Sequence, residues 1–259
     1  MTRRSPPATV LAAYDEQWTS IRGWVGALDR QSWERPSAVS GWTVRDLVAH
    51  FVLVADSLAA AASAPTHRAP MSVSDYLASY AEGAAGIDGR TREWATGDVV
   101  AALDERAHAA AEAVSELLAA GDSPTVVEAR RGPIRLDDFV LTRLVELTVH
   151  GDDLARSVPP GPPLTRRALQ LAVRCLADVV AARSPGRSVE LRIPPFAAVQ
   201  CMPGPSHTRG TPPAVVETDP VTWLRLASGR LSWSEAVATG SVQASGERAE
   251  LASLMPLLG

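Results

Sequence analysis

Apolar residues recur every three to four positions through most of residues 1–157, the spacing of one buried face of an α-helix. The clearest stretches run from about Thr9 to Leu28, from about Ser74 to Trp94, from Asp98 to Ala120, and from Asp137 or Asp138 to Arg156. The aspartates that begin the last two stretches are predicted N-caps. Together these segments predict a helical bundle, with one extended hairpin in TVVEARRGPIRL.

The segment GWTVRDL marks the start of another helix in this half of the chain. Thr43 is a favoured N-cap residue, and Asp46 follows three positions later, as in a capping box. With the register fixed by that cap, Leu47, His50 and Val54 fall on one face. The sequence therefore predicts that His50 points into the bundle.

The pattern changes after SVPPGPPLT, the Pro- and Gly-rich segment at residues 157–165. A helix is predicted from about Thr165 to Arg183, followed by short strands in SVELRI, AAVQCM, AVVET and VQAS. Short helices are predicted around DPVTWLRLAS and SWSEAVA, and a last helix from about Glu247. We predict two domains, 1–157 and 158–259, the second a small α/β domain, and an α+β fold for the whole chain.

Composition excludes several classes of partner. The 259 residues are 46% hydrophobic and 21% charged, ordinary values for a soluble globular protein. A net charge of −4 gives no basic footprint for nucleic acid. The most apolar run, LVAHFVLVADSLAAAA, is too short for a membrane span and carries His50 and Asp56, so no membrane partner is expected. With no secretory signal and only two cysteines, the cytoplasm is the predicted compartment.

All 25 basic residues are arginine, and the chain has neither lysine nor asparagine. Both missing residues have AT-rich codons, so the source is predicted to be a GC-rich bacterium such as an actinobacterium. The absence of lysine also excludes Schiff-base chemistry and a Walker A phosphate loop. The motifs GxGxxG, GxSxG and CxxC are absent as well, which argues against dinucleotide binding, a nucleophile elbow and thioredoxin-like redox chemistry.

Three residues on apolar helical segments are the candidate metal ligands: His50, Glu146 and His150. Glu146 and His150 are one helical turn apart and project from the same face. A buried carboxylate and imidazole need a partner, and a divalent cation satisfies both. Two histidines and one glutamate leave a tetrahedral ion one open position for chemistry. The competing interpretation is a hydrogen-bonded core histidine and a local Glu–His helix pair.

Arg143 and Asp153 lie on or near the same helical stripe. Arg143 is a candidate for binding a substrate carboxylate, or else an ion-pair partner of Glu146. Asp153 is a candidate for orienting a ligand histidine, or else a solvated residue in the last helical turn.

Other polar residues are weaker candidates. His67 and His108 are predicted to be exposed, and His207 with Arg209 lies in a loop that either faces the site or is purely structural. Cys175 is predicted to be in the core. Cys201 is either a thiol nucleophile or, as we favour, a buried strand residue.

The motifs WTVRDLVAH and RLVELTVHGDDLA resemble those of the mycothiol-dependent maleylpyruvate isomerase family, a branch of the DinB-like metal-binding four-helix bundles. The resemblance covers roughly residues 9–157. It implies a metal, usually zinc, bound by His50, Glu146 and His150. The C-terminal part, from LRIPPFAAVQC to GSVQASGERAEL, resembles the sterol-carrier-protein-like domains attached to these bundles.

This resemblance implies an enzyme with mycothiol as thiol cosubstrate and a small-molecule electrophile as substrate. The thiol would add to the electrophile in a cis–trans isomerisation or an S-transfer, with Arg143 and Asp153 as candidate catalytic residues. The isomerase has a related small domain, but the resemblance does not assign its substrate-contacting arginine to a particular residue of the C-terminal part here. The alternative is a non-catalytic small-molecule or lipid-binding protein that uses the C-terminal domain, with a structural or vestigial metal site.

Overall fold

The computed structural model describes residues 5–80, 83–120, 125–204, 214–246 and 249–258. They form two compact units that divide between Ala168 and Leu169. The helices of the first unit are α1 (Pro7–Val25), α2 (Arg30–Trp33), α3 (Val44–Ala62), α4 (Val73–Ala78), α5 (Ala84–Ala95), α6 (Val99–Ala120) and α7 (Leu136–Ser157). The long helices α1, α3, α6 and α7 pack together as the predicted bundle: α3 lies against α5, α6 and α7, and α1 lies against α7.

Helix α3 begins at the predicted cap. The Thr43 hydroxyl accepts a hydrogen bond from the Asp46 backbone N–H at 3.2 Å, and the Asp46 carboxylate accepts one from the Thr43 N–H at 2.8 Å. This capping box satisfies two backbone donors at the helix start and fixes the register. His50 is consequently only 4% exposed, as the sequence predicts.

Two details of the helical half differ from the sequence prediction. The stretch predicted from Ser74 to Trp94 forms two helices, α4 and α5, with Gly83 at the N-cap of α5. Neither Asp137 nor Asp138 caps α7, so that prediction was wrong: the helix begins earlier, at Leu136, and no side chain caps it. Both aspartates instead lie in the first turn, where a negative charge is favourable beside the positive end of the helix dipole.

A small antiparallel sheet accompanies the bundle. It consists of β1 (Pro65–Thr66), β2 (Val126–Ala129) and β3 (Gly132–Arg135), in that order. The β2–β3 hairpin confirms the extended segment predicted from the sequence, with Arg130 and Arg131 at its turn. The Glu128 N–H donates to the Ala64 carbonyl at 2.8 Å, which places the hairpin beside the end of α3.

The Pro-rich segment after α7 is bonded to the bundle. The buried Gln17 of α1 donates to the Pro163 carbonyl at 3.3 Å and accepts from the Thr165 N–H at 2.8 Å. These bonds explain why the compact units divide after this segment. We keep the proposed domain boundary at Ser157 and Val158, where α7 ends.

The second unit combines helices with a four-stranded sheet. Its helices are α8 (Arg166–Arg183), in whose first turn the division falls, α9 (Pro220–Ala227) and α10 (Trp233–Ala238). The strands are β4 (Val189–Ile193), β5 (Ala197–Cys201), β6 (Ala214–Thr218) and β7 (Val242–Ser245), in the order β5-β4-β6-β7. Strands β4 and β6 run parallel and the other neighbours run antiparallel.

In β4 and β6, buried and partly exposed residues alternate, so one face of this sheet packs against the core of its unit. The mixture of helices and strands confirms the α+β prediction. The helix predicted from about Glu247 was wrong in residues 249–258, where a short 3-10 helix forms at Ala252–Leu254. Among the helices of the described ranges, none combines the length and apolarity needed to cross a membrane.

Candidate metal centre

The three predicted metal ligands lie together inside the bundle. His50 comes from α3, and Glu146 and His150 come from adjacent turns of α7. One donor atom from each residue lies within 4.8 Å of the donor atoms of the other two. The rings of His50 and His150 meet edge to face, with centroids 4.7 Å apart. Residues nearly one hundred positions apart in sequence thus share one buried site.

Each histidine has a second polar group on its Nδ1 nitrogen. Nδ1 of His50 lies 3.4 Å from the hydroxyl of Thr91 in α5. Nδ1 of His150 lies 2.9 Å from Oδ2 of Asp153, which is fully buried and also bonded to Arg156. A partner on Nδ1 fixes the ring orientation and leaves Nε2 as the donor toward the centre of the cluster. The position of Asp153 is compatible with an orienting role, and its burial does not match the solvated position that was the other interpretation.

The two oxygens of Glu146 face different partners. Oε1 lies 2.8 Å from Nη2 of Arg143, and Oε2 lies 3.3 Å from Nε2 of His50. Burial alone would raise the pKa of Glu146, but the charge of Arg143 and the hydrogen bond from His50 outweigh it, so the pKa lies well below its ordinary value. Burial lowers the pKa of His50. At neutral pH the site therefore presents a carboxylate and a neutral imidazole, the forms in which these groups bind metal.

Arg143 is buried and contacts several side chains besides Glu146. Nη1 donates to the Ser57 hydroxyl at 3.3 Å, and Nη2 is hydrogen-bonded to the Tyr80 hydroxyl. Its guanidinium also lies 4.7 Å from the centroid of the Phe139 ring. Of the two roles expected for Arg143, this geometry matches the ion pair with Glu146.

The donor set fits a metal ion in both chemistry and spacing. Two imidazole nitrogens and a carboxylate oxygen are typical zinc ligands, at about 2.0–2.2 Å from the ion. Ligands at that distance in a tetrahedron are about 3.4 Å apart. The Nε2–Oε2 distance of 3.3 Å between His50 and Glu146 already has this value. The donor atom of His150 lies within 4.8 Å of those of the other two residues.

A cavity of about 420 Å³ opens from this cluster. His50, Phe139, Arg143 and Glu146 line it near the cluster, and residues of α3, α5 and the β2–β3 hairpin line the remainder. Its volume is within the range of sites for small molecules and cofactors.

Two models of known protein families match this chain. The model of the mycothiol maleylpyruvate isomerase N-terminal domain matches residues 14–155, which is more than half of the chain. The chain belongs to the mycothiol maleylpyruvate isomerase family. The model described as a bacterial SCP ortholog matches residues 165–257, in agreement with the sterol-carrier-like resemblance of the C-terminal part. No curated protein sequence matches the chain.

Solved structures share the fold of this family member. The crystal structure of the mycothiol-dependent maleylpyruvate isomerase is similar with a TM-score of 0.58 and 16% identity, over 95% of both chains. A mutant of the mycothiol-dependent maleylpyruvate isomerase gives a TM-score of 0.59 and 17% identity, again over 95% of both chains. At this identity the likeness establishes the fold alone.

Two further histidine candidates, His67 and His108, are not part of the cluster. His67 and His108 are exposed, as predicted. His207 and Arg209 lie outside the described residues. Thr91 and Tyr80 contact the site but were not identified from the sequence, because no motif or spacing links them to His50 or Arg143.

Both cysteines are buried, which confirms the core prediction for Cys175 and favours the buried interpretation of Cys201. Burial raises the pKa of the Cys201 thiol to about 11. At pH 8 that thiol is therefore almost entirely protonated and unreactive.

We expect Ellman's reagent to modify neither cysteine in the native protein at pH 8 and to modify both after unfolding in guanidinium. Rapid modification of one thiol in the native protein would restore the nucleophile interpretation.

Proposed function

We propose that this chain is a metal- and mycothiol-dependent enzyme that activates the thiol for addition to a small electrophile, with His50, Glu146 and His150 as the metal ligands. The observation that carries the proposal is the convergence of these three donors beside a cavity that His50 and Glu146 line and that is large enough for small molecules. Family membership and the named function of the structural relatives support mycothiol as the thiol.

The side chains around the ligands have distinct roles in this proposal. Thr91 and Asp153 hold the two imidazole rings through Nδ1. Arg143 binds Oε1 of Glu146 and keeps it ionised, which leaves Oε2 for the metal. The metal, zinc in our proposal, would supply the positive charge that lowers the pKa of a coordinated thiol below its free value of about 8.5.

The thiolate would then add to an activated cis double bond of the electrophile, forming a carbon–sulfur bond and shifting the alkene electron pair onto the conjugated carbonyl. Rotation about the resulting single bond and expulsion of the thiolate give the trans isomer, with no net change in protons. In an S-transferase the carbon–sulfur bond persists: the enolate takes up a proton from water, or an aryl halide loses its halide ion, and the product leaves as a conjugate. The cavity would hold both reactants beside the metal.

The test combines metal analysis with turnover. Purified protein is expected to contain about one zinc ion per chain, measured by plasma mass spectrometry. With mycothiol it is expected to isomerise maleylpyruvate or to conjugate 1-chloro-2,4-dinitrobenzene. Omitting the thiol should abolish turnover, and chelation should abolish it until zinc is restored. A chain that binds zinc but turns over neither substrate with mycothiol would contradict the proposed activity.

The alternative is a non-catalytic binding protein, and the match of residues 165–257 to the bacterial SCP ortholog favours it. In that case the chain would bind a fluorescent fatty acid through residues 158–259, and removal of the metal would leave that affinity unchanged. Thiol-dependent turnover together with a lack of fatty-acid binding would reject this alternative.

A further inference from the structure

The cavity beside the candidate metal centre is long. One face of α3 lines it, through His50, Leu53, Ser57 and Ala61, among others. His50 and Ala61 are eleven positions apart, and eleven residues of α-helix span about 16 Å. The cavity therefore extends by roughly that distance along α3. We call it the trough: its inner end is at His50 and Glu146, and its outer end is at the β2–β3 turn, where Arg130 and Arg131 line it.

Arginines outnumber carboxylates among the residues that line the trough. Its carboxylates are already paired: Oε1 of Glu128 lies 2.8 Å from Arg68, and Oε1 of Glu146 lies 2.8 Å from Arg143. The third carboxylate, that of Asp56, lies 3.8 Å from Arg90 and 3.7 Å from Arg106. The acidic groups of the lining are therefore neutralised by arginines other than those of the hairpin turn.

The two arginines of the hairpin turn are not among these ion-pair partners. Within the described ranges of the chain, no carboxylate is in ion-pair contact with Arg130 or Arg131. Arg90 lines the trough as well, and burial together with the neighbouring charge of Arg130 lowers its pKa. Positive charge thus accumulates at the outer end of the trough, where an anion would relieve the mutual repulsion.

Two contacts hold the Arg131 side chain in place. Its guanidinium stacks on the ring of Tyr80, with 4.5 Å between the central carbon and the ring centroid. Its Nε donates to the Ser79 carbonyl at 3.2 Å, and its other donors have no hydrogen bond to the described residues. The Tyr80 hydroxyl is bonded to Arg143 at the inner end, so one tyrosine connects the hairpin turn to the ion pair beside the candidate ligands.

We propose that Arg130 and Arg131, with Arg90 beside them, form an anion-binding subsite that takes the carboxylate or phosphate of a small organic acid lying along the trough. Guanidinium groups bind such anions through paired N–H donors. The inference rests on the proposed function for its catalytic meaning: an electrophile anchored by its anionic group at the outer end presents its reactive carbon at the inner end. The subsite would then select acidic electrophiles over neutral ones.

The binding test needs no turnover. Succinate and inorganic phosphate are titrated separately into the full-length, metal-loaded protein by calorimetry at low ionic strength. The variant Arg130→Gln removes an exposed charge from a turn, so its fold is expected to persist, and Arg130→Gln/Arg131→Gln removes both. The control Arg167→Gln/Arg187→Gln removes two exposed arginines outside the lining of the trough.

We expect the dissociation constant for succinate to rise at least about tenfold in Arg130→Gln/Arg131→Gln and by less than about twofold in the control. Tighter binding of phosphate than of succinate by the unmodified protein, with the same dependence on these arginines, would assign the subsite to phosphate esters. Equal weakening of succinate binding in Arg130→Gln/Arg131→Gln and in the control would overturn the subsite. Unchanged succinate binding in both would overturn it as well. Thermal unfolding of both variants is measured alongside, and should Arg130→Gln/Arg131→Gln be destabilised, weaker succinate binding by Arg130→Gln alone decides.

A kinetic test addresses selectivity. With mycothiol as thiol, the ratio of kcat/KM for 4-chloro-3-nitrobenzoate to kcat/KM for neutral 1-chloro-2,4-dinitrobenzene should fall at least about tenfold in Arg130→Gln/Arg131→Gln. Equal losses for both electrophiles would overturn the proposed selectivity. If the unmodified protein turns over neither electrophile nor maleylpyruvate, the proposed function fails, and calorimetry alone then decides whether the anion subsite exists.

Discussion

Replacing His150 with alanine is expected to remove the bound metal ion and, with it, thiol-dependent turnover. His150 supplies one of only three protein donors in the proposed site, and two donors do not compete with water and chelators for a zinc ion as three do. Loss of a residue that merely orients a ligand typically costs 10- to 100-fold in metal affinity or activity. The loss of kcat/KM in His150→Ala should therefore exceed about 100-fold, with zinc falling from about one ion per chain to nearly none.

The matched control is His108→Ala. His108 lies four residues before Glu112 on α6, with Nε2 and Oε1 3.2 Å apart, so the two form a helical His–Glu pair like the one in the site. Both side chains are well exposed, at 75% and 63%. This variant should retain full zinc content and turnover. Full zinc content in His150→Ala would remove His150 from the ligand set and contradict the proposed centre.

The ligand candidates were predictable because they depend on local helical geometry. Glu146 and His150 share a face through their spacing alone, once α7 is recognised as a helix. The Thr43 capping box fixes the register of α3 and thereby directs His50 inward. Both inferences need only one helix at a time, and the apolar periodicity of each helix is strong.

The supporting residues were not predictable for the opposite reason. Thr91 reaches His50 from α5, and Tyr80 reaches Arg143 from the segment between α4 and α5. These contacts depend on how separate helices pack, which the periodicity of each helix does not specify. The turn at Arg130 and Arg131 was likewise recognisable as part of a hairpin, but only the packing of that hairpin beside α3 makes it the end of a trough.

The second large effect is expected on stability. Arg143→Met should lower the free energy of unfolding by about 3 kcal/mol at pH 7, because it leaves the carboxylate of Glu146 buried without its cationic partner. The side chains of Arg143 and Glu146 are only 6% and 13% exposed, so solvent compensates little for the loss. Urea unfolding in the presence of a chelator measures this, since it removes any contribution of metal binding to stability.

Acid should reduce the effect. The pKa of Glu146 is lowered in the folded protein, so its contribution is present above its ordinary value of 4.5 and is lost as the pH falls. In Arg143→Met the carboxyl is no longer held ionised by a neighbouring charge, and it protonates at a higher pH. The difference in stability between the two proteins should consequently shrink as the pH falls from the value at which Glu146 protonates in Arg143→Met toward its lowered pKa in the unmodified protein.

Two comparisons make the result specific to the buried pair. Arg143→Met/Glu146→Gln removes both charges and should recover much of the lost stability, because no uncompensated charge remains inside. Arg22→Met breaks the ion pair between Arg22 and Asp104, whose side chains are 32% and 53% exposed, and should change stability by less than about 1 kcal/mol. A loss in Arg143→Met no larger than that of Arg22→Met would mean that Glu146 does not depend on Arg143 for its charge. Arg143 would then be left with the substrate-binding role that its place in the cavity lining also permits.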